Sequence, residues 1–481
     1  MMAQNQNKPF GRSSIMAKMR LESDSIGTLE VPADAYYGVQ SLRGSMNFRI
    51  TGYRIHDKQI KMLAALKKAS AYANHRAGIL DRRICDAIVQ ACDEIMAGQF
   101  HDQFIVDPIQ GGAGTSANMN ANEVIANRAI EILGGEKGDY SIVHPNDHVN
   151  MSQSTNDVYP SSGKLAALEL LAELLEKLHQ LDRVLMEKAA EFDNVLKVGR
   201  TQLQDAVPIR LGQEFHSYSS AIKRDLQRIS RVRDQISMLN MGATAIGTAI
   251  NVPASYLEDI ARDVSDATGI AVTNNIDLVD GTQNLDGIVA VSGTLKACAV
   301  TLSKMSNDLR LLSSGPRTGF AEINLPAMQN GSSIMPGKVN PVIPEVVSQV
   351  AFAVIGNDMT ITMCAEAGQL ELNAFEPVAF YRLFESITAM TGAIDTLIHN
   401  CLLGITANAD RCRYLLDHSV CTVTALVPHI GYKHAAAIAK NALKTGKTVR
   451  ELVLEEGIMS EAQLDEVLDP YHLTVPGAGL K

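Results

Sequence analysis

The segment from Asn284 to Leu312 constrains the fold of this chain more than any other part of the sequence. Its apolar side chains recur in alternating steps of three and four residues, which is the spacing of a coiled-coil seam. The seam positions are Ile288, Val291, Leu295, Cys298, Leu302, Met305, Leu309 and Leu312. We therefore predict a long helix that packs lengthwise against other helices.

Two further segments indicate a helical bundle. In the first, leucines follow the same rule at Leu168, Leu171, Leu175 and Leu178. The second, from Val346 to Asn357, carries no charged side chain, and a helix that is apolar all round belongs at the centre of a bundle or at a subunit interface. Aromatic residues make up only 5% of the chain and Trp is absent, so an aliphatic core of helix on helix is favoured.

Composition and charge exclude several classes of protein. The formal net charge of -10, without a basic stripe, argues against nucleic acid as a partner. We find no signal peptide and expect no membrane span. The seven cysteines are scattered without CxxC spacing, which favours free thiols, no structural metal and a cytoplasmic location.

The length of 481 residues suggests two or three domains. We predict a disordered tail over residues 1–20, an N-terminal domain over 21–157, a central helical bundle over 158–410 and a small C-terminal domain over 411–481. A transit peptide is the alternative interpretation of the tail. An elongated bundle has much apolar side surface, so we expect it to oligomerise.

The loop Gly331–Pro341, GSSIMPGKVNP, is the strongest candidate for chemistry. Two glycines and two prolines forbid regular structure and indicate a shaped loop. It carries the hydroxyls of Ser332 and Ser333, the ammonium of Lys338 and the amide of Asn340. A phosphate-binding loop is excluded because the glycine spacing is wrong and a Ser or Thr after the lysine is missing. Taken alone, a plain turn with a solvated lysine is the better interpretation.

Three other segments are rich in hydroxyls and amides: residues 111–116, 152–157 and 199–208. Glycine-rich turns can line an anion site, and hydroxyls before a helix either cap it or hold a carboxylate. Each segment alone is more typical of structure than of function. Together they offer neutral donors around one fixed cation, Lys338, and no thiol–His pair, metal-ligand cluster or GxSxG motif competes with them.

The loop GSSIMPGKVNP resembles the signature of the aspartase/fumarase superfamily, and SQSTND and GRTQLQDA resemble its two other signature regions. The resemblance runs from about Leu21 to Val475. It implies a mainly α fold with a central bundle of five long helices per subunit and smaller N- and C-terminal domains. It also implies that the bundles assemble into a twenty-helix homotetramer whose active sites are each built from three subunits.

The chemistry implied by this resemblance is anti-elimination that releases fumarate from a small dicarboxylate, without a cofactor or metal. Ser332 is expected to be the general base, with its oxyanion stabilised by backbone N–H groups and Lys338. The expected donors to the aci-carboxylate intermediate are Thr115, Ser154, Thr155 and Ser333. The expected ligands of the other carboxylate are Thr201, Lys338 and Asn340, with Asn156 and Thr201 also at the leaving group. Arg43 is a further candidate cation, although a surface arginine is an equally good interpretation.

The leaving group is predicted from Gln202. Fumarases of this family have a Thr-His pair where this chain has Thr201-Gln202, and glutamine cannot relay the proton that leaving hydroxide needs. The stretch AEAGQLELN also resembles the aspartase branch. We therefore expect L-aspartate as substrate and ammonia as product. Fumarase is the first alternative, and a non-catalytic oligomer of the same fold is less favoured because the site residues are present.

Overall fold

The computed structural model describes residues 18–475. Most of the predicted tail over residues 1–20 lies outside the described residues, while Met19 and Arg20 already belong to the first strand. All seven cysteines are buried and free, which confirms the prediction of free thiols.

The described chain is mostly helical, with short strands paired in two-stranded sheets. The pairs are β1 (Met19–Asp24) with β2 (Gly27–Pro32), β3 (Leu196–Thr201) with β4 (Gln204–Arg210), β5 (Met238–Leu239) with β6 (Thr273–Asn274), and β7 (Ile323–Asn324) with β8 (Thr406–Ala407). The helices are α1 (Val39–Asn47), α2 (Asp57–Arg76), α3 (Arg82–Met96), α4 (Thr115–Ile132), α5 (Thr155–Glu191), α6 (Leu211–Val232), α7 (Ala254–Thr268), α8 (Leu278–Gln283), α9 (Asp286–Leu312), α10 (Val342–Glu366), α11 (Glu376–Asn400), α12 (Ala409–His418), α13 (Val423–Ile430), α14 (Tyr432–Thr445), α15 (Val449–Glu455), α16 (Glu461–Val467) and α17 (Pro470–Leu473).

The chain divides into two compact units. Within the described part, unit 1 contains the residues up to Glu169 together with Ile236–Asp286 and Met363–Tyr381. Unit 2 contains Leu170–Gln235, Gly287–Thr362 and the residues from Arg382 onward. The boundaries that we predicted at residues 157 and 410 remain predictions, since these units are interleaved along the chain.

Unit 2 contains α6 and the larger parts of α5, α9, α10 and α11. Every predicted seam position of α9 is buried, so its apolar stripe faces other helices as the spacing required. Polar side chains also join neighbouring helices of this unit. These pairs are Ser292 and Lys296 with Asp358, Asn357 with Ser386, Lys177 with Asp395, and Ser219 with Asp182. They connect α5, α6, α9, α10 and α11, the five helices that the bundle prediction required.

One face of α10 is apolar and exposed. Phe352 is 64% exposed, Met359 63% and Met363 64%, and Ile355 between them is also exposed. Both α9 and α10 are long and apolar enough to cross a membrane by length and composition alone. Core helices of soluble proteins pass the same test, so we attach no membrane function to them.

The segment after Arg411 forms short helices around an apolar cluster of its own. Leu426, Ile438, Val453 and Leu464 are fully buried there. A separate C-terminal domain remains a prediction, because unit 2 includes this segment together with the bundle helices.

In unit 1, two buried carboxylates hold the start of α1. Glu123 accepts hydrogen bonds from the backbone N–H groups of Gly38 and Gln40, both at 2.9 Å, and Glu22 accepts one from Val39 at 2.8 Å. Negative charge is favourable at a helix N-terminus because it complements the helix dipole. The arrangement fixes the helix that carries Arg43.

Candidate active site

The loop Gly331–Pro341 leads from β7 into α10 and closes on itself. The backbone N–H of Gly331 donates to the carbonyl oxygen of Lys338 at 2.8 Å. The side-chain amide of Asn340 donates to the carbonyl oxygen of Gly331, also at 2.8 Å. A Cβ at position 331 would lie 2.5 Å from the Lys338 oxygen, so only glycine fits the crossing point. The sequence between these residues is thereby held as a compact bulge.

Within this bulge the hydroxyl of Ser332 faces backbone donors. Its Oγ accepts hydrogen bonds from the N–H groups of Ile334 at 3.2 Å and Met335 at 2.9 Å. Two N–H groups directed at one oxygen favour its negatively charged form. Lys338 is exposed, and within residues 18–475 no carboxylate lies at salt-bridge distance from its ammonium. The loop therefore offers an oxygen prepared for negative charge together with an unpaired cation.

The second predicted segment begins α5. Asp157 is fully buried and ties this helix start to the loop after β5, accepting hydrogen bonds from the N–H groups of Ser154 at 2.9 Å, Gly242 at 3.1 Å and Thr244 at 3.1 Å. Asn156 donates through Nδ2 to the carbonyl oxygen of Ala245 at 2.8 Å. As a result, Ser154, Thr155 and Asn156 are fixed at the positive end of a long helix, where a carboxylate binds favourably.

The glycine-rich segment begins α4. Gly112, Ala113 and Gly114 have φ values of +87°, +53° and +90°, a left-handed run that glycine tolerates best. Gly114 lies against the ring of Tyr159 in α5, where a Cβ would come within 2.3 Å of the ring. This close approach brings the start of α4, with Thr115, to the start of α5. The hydroxyl of Thr115 donates to the Gly112 carbonyl oxygen at 2.7 Å.

The third segment is a β-hairpin, which was not predicted from the sequence. Strands β3 and β4 pair Thr201 with Gln204, and the turn consists of Gln202 and Leu203 with φ of +53° and +63°. Left-handed backbone is unfavourable for such side chains, and strain of this kind is concentrated at functional sites. The tip is exposed, with Leu203 at 64%.

Buried charges fix the base of this hairpin. Lys197 pairs with Glu214 at 2.8 Å and with Glu322 at 3.2 Å, and Arg200 pairs with Glu322 at 2.9 Å. Glu322 is fully buried, and both cations stabilise its charge there, because a carboxylate in the interior is favourable only when it is paired. The hairpin thus presents Thr201 and Gln202 from a rigid support.

The predicted residues fall into two groups. Unit 1 holds two adjoining helix starts, which carry Thr115, Ser154, Thr155 and Asn156. Unit 2 holds the loop, which carries Ser332, Ser333, Lys338 and Asn340, and the separate hairpin, which carries Thr201 and Gln202.

Arg43 is paired with Asp24 through two hydrogen bonds of 3.0 Å, so its charge is already compensated. A role for Arg43 in substrate binding remains a prediction.

A buried polar network lies next to Thr155 and was not predicted from the sequence. Burial lowers the pKa of the Lys67 ammonium to about 7, against the opposing effect of the Asp157 charge. Burial likewise raises the pKa of Asp157 to about 7, although backbone N–H groups and Lys67 act against this. The signal available in the sequence was the run of asparagines in TSANMNANEVIANR, which is unusual for a buried helix.

Within residues 18–475 no group of His, Cys, Asp and Glu side chains could hold a metal ion.

Comparisons with known proteins give a consistent result. A family model described as lyase matches residues 27–356, and one described as fumarase C C-terminus matches residues 423–475. An aspartate ammonia-lyase from Bacillus subtilis is 53% identical over 95% of this chain and 96% of its own length. The crystal structure of a fumarate lyase:delta crystallin from Brucella melitensis, bound to cobalt, has a TM-score of 0.93 at 48% identity and covers 95% of this chain and 100% of that one. A class II fumarase from Schistosoma mansoni has a TM-score of 0.92 at 34% identity, covering 96% and 100%.

Proposed function

The chain belongs to the aspartase/fumarase superfamily of lyases, and we propose that it acts with Ser332 as its general base. It is a carbon–nitrogen lyase that converts L-aspartate reversibly into fumarate and ammonia. Fumarase was the first alternative, and it is less well supported because the class II fumarase shares 34% identity against 53% for the aspartate ammonia-lyase.

The observation that carries the proposal is the environment of the Ser332 oxygen. A serine hydroxyl is a very weak acid, so it can act as a base only where its oxyanion is stabilised. The N–H groups of Ile334 and Met335 already point at this oxygen, and the unpaired charge of Lys338 belongs to the same short loop. Preorganised donors of this kind require no rearrangement when the charge appears.

In the proposed reaction the Ser332 oxyanion removes a proton from the carbon beside the side-chain carboxylate of aspartate. The electron pair moves into that carboxylate and gives an aci-carboxylate, which is stabilised by donors from Thr115, Ser154, Thr155 and Ser333. The Thr115 hydroxyl, which donates to the Gly112 carbonyl oxygen in this structure, turns toward the intermediate to do so. Collapse of this intermediate forms the double bond and breaks the bond to nitrogen. The ammonium group already carries its protons and leaves as neutral ammonia.

The remaining predicted residues bind the other end of the substrate. Thr201, Lys338 and Asn340 hold the second carboxylate, and Asn156 and Thr201 contact the amine. Gln202 can donate and accept hydrogen bonds but does not titrate, which suits a leaving group that needs no further proton.

We propose that this chain works as a homotetramer with each active site built from three subunits. The exposed apolar face of α10, with Phe352, Met359 and Met363, is a surface that a second copy would cover. Leu203 at the exposed hairpin tip is a second apolar side chain that a neighbouring copy would cover. Buried free thiols are typical of a reducing compartment, and we propose a cytoplasmic location on this basis.

The variant Ser332→Ala tests the assignment of the base. We expect kcat for L-aspartate, followed by the ultraviolet absorbance of fumarate, to fall by about 10³-fold or more, with the oligomeric state unchanged by size-exclusion chromatography. Asn330→Ala, an exposed polar position just before the loop, is the matched control and should retain activity. Turnover of Ser332→Ala within tenfold (roughly 1.4 kcal/mol in barrier) of the parent would eliminate Ser332 as the base.

A further inference from the structure

A continuous set of buried hydrogen bonds runs from Lys67 in α2 to the hydroxyl of Thr155. Lys67 is fully buried, and its Nζ donates to Oδ1 of Asn150 at 2.8 Å. Asn118 in α4 donates through Nδ2 to the same oxygen at 3.2 Å and to Oγ1 of Thr155 at 3.1 Å. These residues lie in unit 1 and come from three separate stretches of the chain, namely α2, α4 and residues 150–155, so the fold assembles them.

The network has a fixed polarity because one end of it is a backbone carbonyl oxygen, which can only accept. Nδ2 of Asn150 donates to the carbonyl oxygen of Gln153 at 3.2 Å. The amide of Asn150 is thereby oriented so that its Oδ1 accepts from Nζ of Lys67. Asn118 must in turn direct one hydrogen of its NH₂ group to Oδ1 of Asn150. Its second hydrogen then points to Oγ1 of Thr155.

The consequence falls on the Thr155 hydroxyl. Since Oγ1 of Thr155 accepts a hydrogen bond from Asn118, the hydroxyl hydrogen of Thr155 can be donated to another group. A hydroxyl that already accepts a hydrogen bond is also polarised into a stronger donor. A donor is what the developing aci-carboxylate requires at this place.

We propose that Lys67, Asn150 and Asn118 are positioning residues that set Thr155 as a hydrogen-bond donor to the intermediate. The proposal rests on the proposed function, because it needs Thr155 to contact the substrate. These three residues act through Thr155 and touch no reacting atom themselves.

The stability of the fold alone does not account for this arrangement. Oδ1 of Asn118 and Oδ1 of Asn122 are buried and have no hydrogen-bond partner among the described residues, and leaving a buried polar group unpaired costs about 1–3 kcal/mol. Lys67 is likewise buried beside neutral amides, where an apolar side chain would pack without loss of hydration. A role in catalysis explains why polar groups occupy these positions.

Asn122 offers a matched control on the same helix. It lies one turn after Asn118, is also fully buried, and donates to the same Asn150 oxygen at 3.1 Å. Its remaining hydrogen-bond contact is with the sulfur of Met119, not with Thr155. Replacing Asn122 therefore disturbs the same network without removing the donor to Thr155.

The experiment is a double-mutant cycle on the full-length protein with L-aspartate as substrate. We expect Asn118→Ala to lower kcat by about 10- to 100-fold with little change in KM, since the lost interaction strengthens in the transition state. Thr155→Ala should lower kcat at least as much, and the double variant should be no slower than Thr155→Ala within about threefold. Asn122→Ala should keep kcat within about threefold while lowering the thermal midpoint as much as Asn118→Ala does.

A second variant keeps the proposal testable if Asn118→Ala fails to fold. Asn118→Asp preserves the shape of the side chain, but its carboxylate accepts the hydroxyl hydrogen of Thr155 instead of donating to Oγ1. We therefore expect kcat to fall as far as in Asn118→Ala. Additive losses of kcat in the double variant, or equal losses for Asn118→Ala and Asn122→Ala, would overturn the inference while leaving Thr155 in the site. Normal kcat in Thr155→Ala alone would instead remove Thr155 from the proposed active site, and the inference with it.

Discussion

The side-chain amide of Asn340 lies 2.8 Å from the carbonyl oxygen of Gly331 and closes the loop that carries Ser332. The two positions are nine residues apart in sequence, and the backbone hydrogen bond from Gly331 to Lys338 reinforces the closure. The loop is therefore held in shape from its own ends. Asn340 can hold Ser332 in place while it also helps to bind the substrate.

Asn340→Ala should loosen this loop. We expect kcat/KM for L-aspartate to fall by about 10- to 100-fold because Ser332 loses its fixed position, while the thermal midpoint changes little. Asn340→Asp should be equally impaired, since a carboxylate cannot donate to the Gly331 oxygen. Full activity in both variants would show that the closure is unimportant for catalysis.

The apolar face of α10 should control assembly. In Phe352→Glu/Met359→Glu, two carboxylates would be buried at the proposed interface without partners, which is strongly unfavourable. We expect the double variant to elute as a smaller species in size-exclusion chromatography with multi-angle light scattering. Activity should fall with it, because the proposed site needs several subunits.

The control for this experiment is Leu443→Glu. Leu443 is 75% exposed on a different helix, α14, and its substitution should leave the mass and the activity unchanged. An unaltered mass for the α10 double variant would contradict the proposed interface.

Gln202→His should change the preference for the leaving group. Histidine can carry a proton to departing hydroxide near neutral pH, whereas glutamine cannot. Position 202 has left-handed backbone, which histidine accepts comparatively well. We expect the ratio of kcat/KM for L-malate to that for L-aspartate to rise by about tenfold or more. The matched control is Gln204→His two residues along, and an unchanged ratio in Gln202→His would place the selectivity elsewhere.

The helical part of the fold could be predicted because its signal is local. The seam of α9 is a periodic pattern within one segment, and all of its positions are buried. Likewise, Leu168, Leu171, Leu175 and Leu178 are buried as their spacing requires. Periodicity reports which face of a helix is covered, and it needs no knowledge of distant residues.

The parts that could not be predicted depend on contacts between distant segments. Lys67 and Asn150 are 83 residues apart, so no local pattern indicates their hydrogen bond. The β3–β4 hairpin was missed because its turn, Gln202-Leu203, lacks the Asn-Gly or Asp-Gly pair that normally marks such turns. Arg43 was considered as a free cation, and its pairing with Asp24 arises from the packing of α1 on β1.

A buried pair in unit 1 should make stability depend on pH. Glu376 at the start of α11 is 1% exposed, and its Oε2 has no hydrogen-bond partner among the described residues. Burial raises the pKa of Glu376 to about 8, although the charge of Lys164 acts against this. Burial also lowers the pKa of Lys164, whose ammonium donates to the Met238 carbonyl oxygen at 3.0 Å.

Glu376→Gln should remove one part of that dependence. A carboxyl group with a raised pKa stabilises the fold fully below its unfolded pKa of about 4.5, and this contribution is lost as pH rises through about 8. Lys164 acts in the opposite sense and is present in both proteins, so the informative quantity is the difference between them. We expect the thermal midpoint of Glu376→Gln to rise relative to the parent from pH 5.5 to pH 9, by about 2 °C or more. The control is Glu366→Gln, at an exposed carboxylate, whose thermal midpoint should follow that of the parent at every pH. A difference in thermal midpoint between Glu376→Gln and the parent that stays constant with pH would show that Glu376 is already ionised at the lower pH.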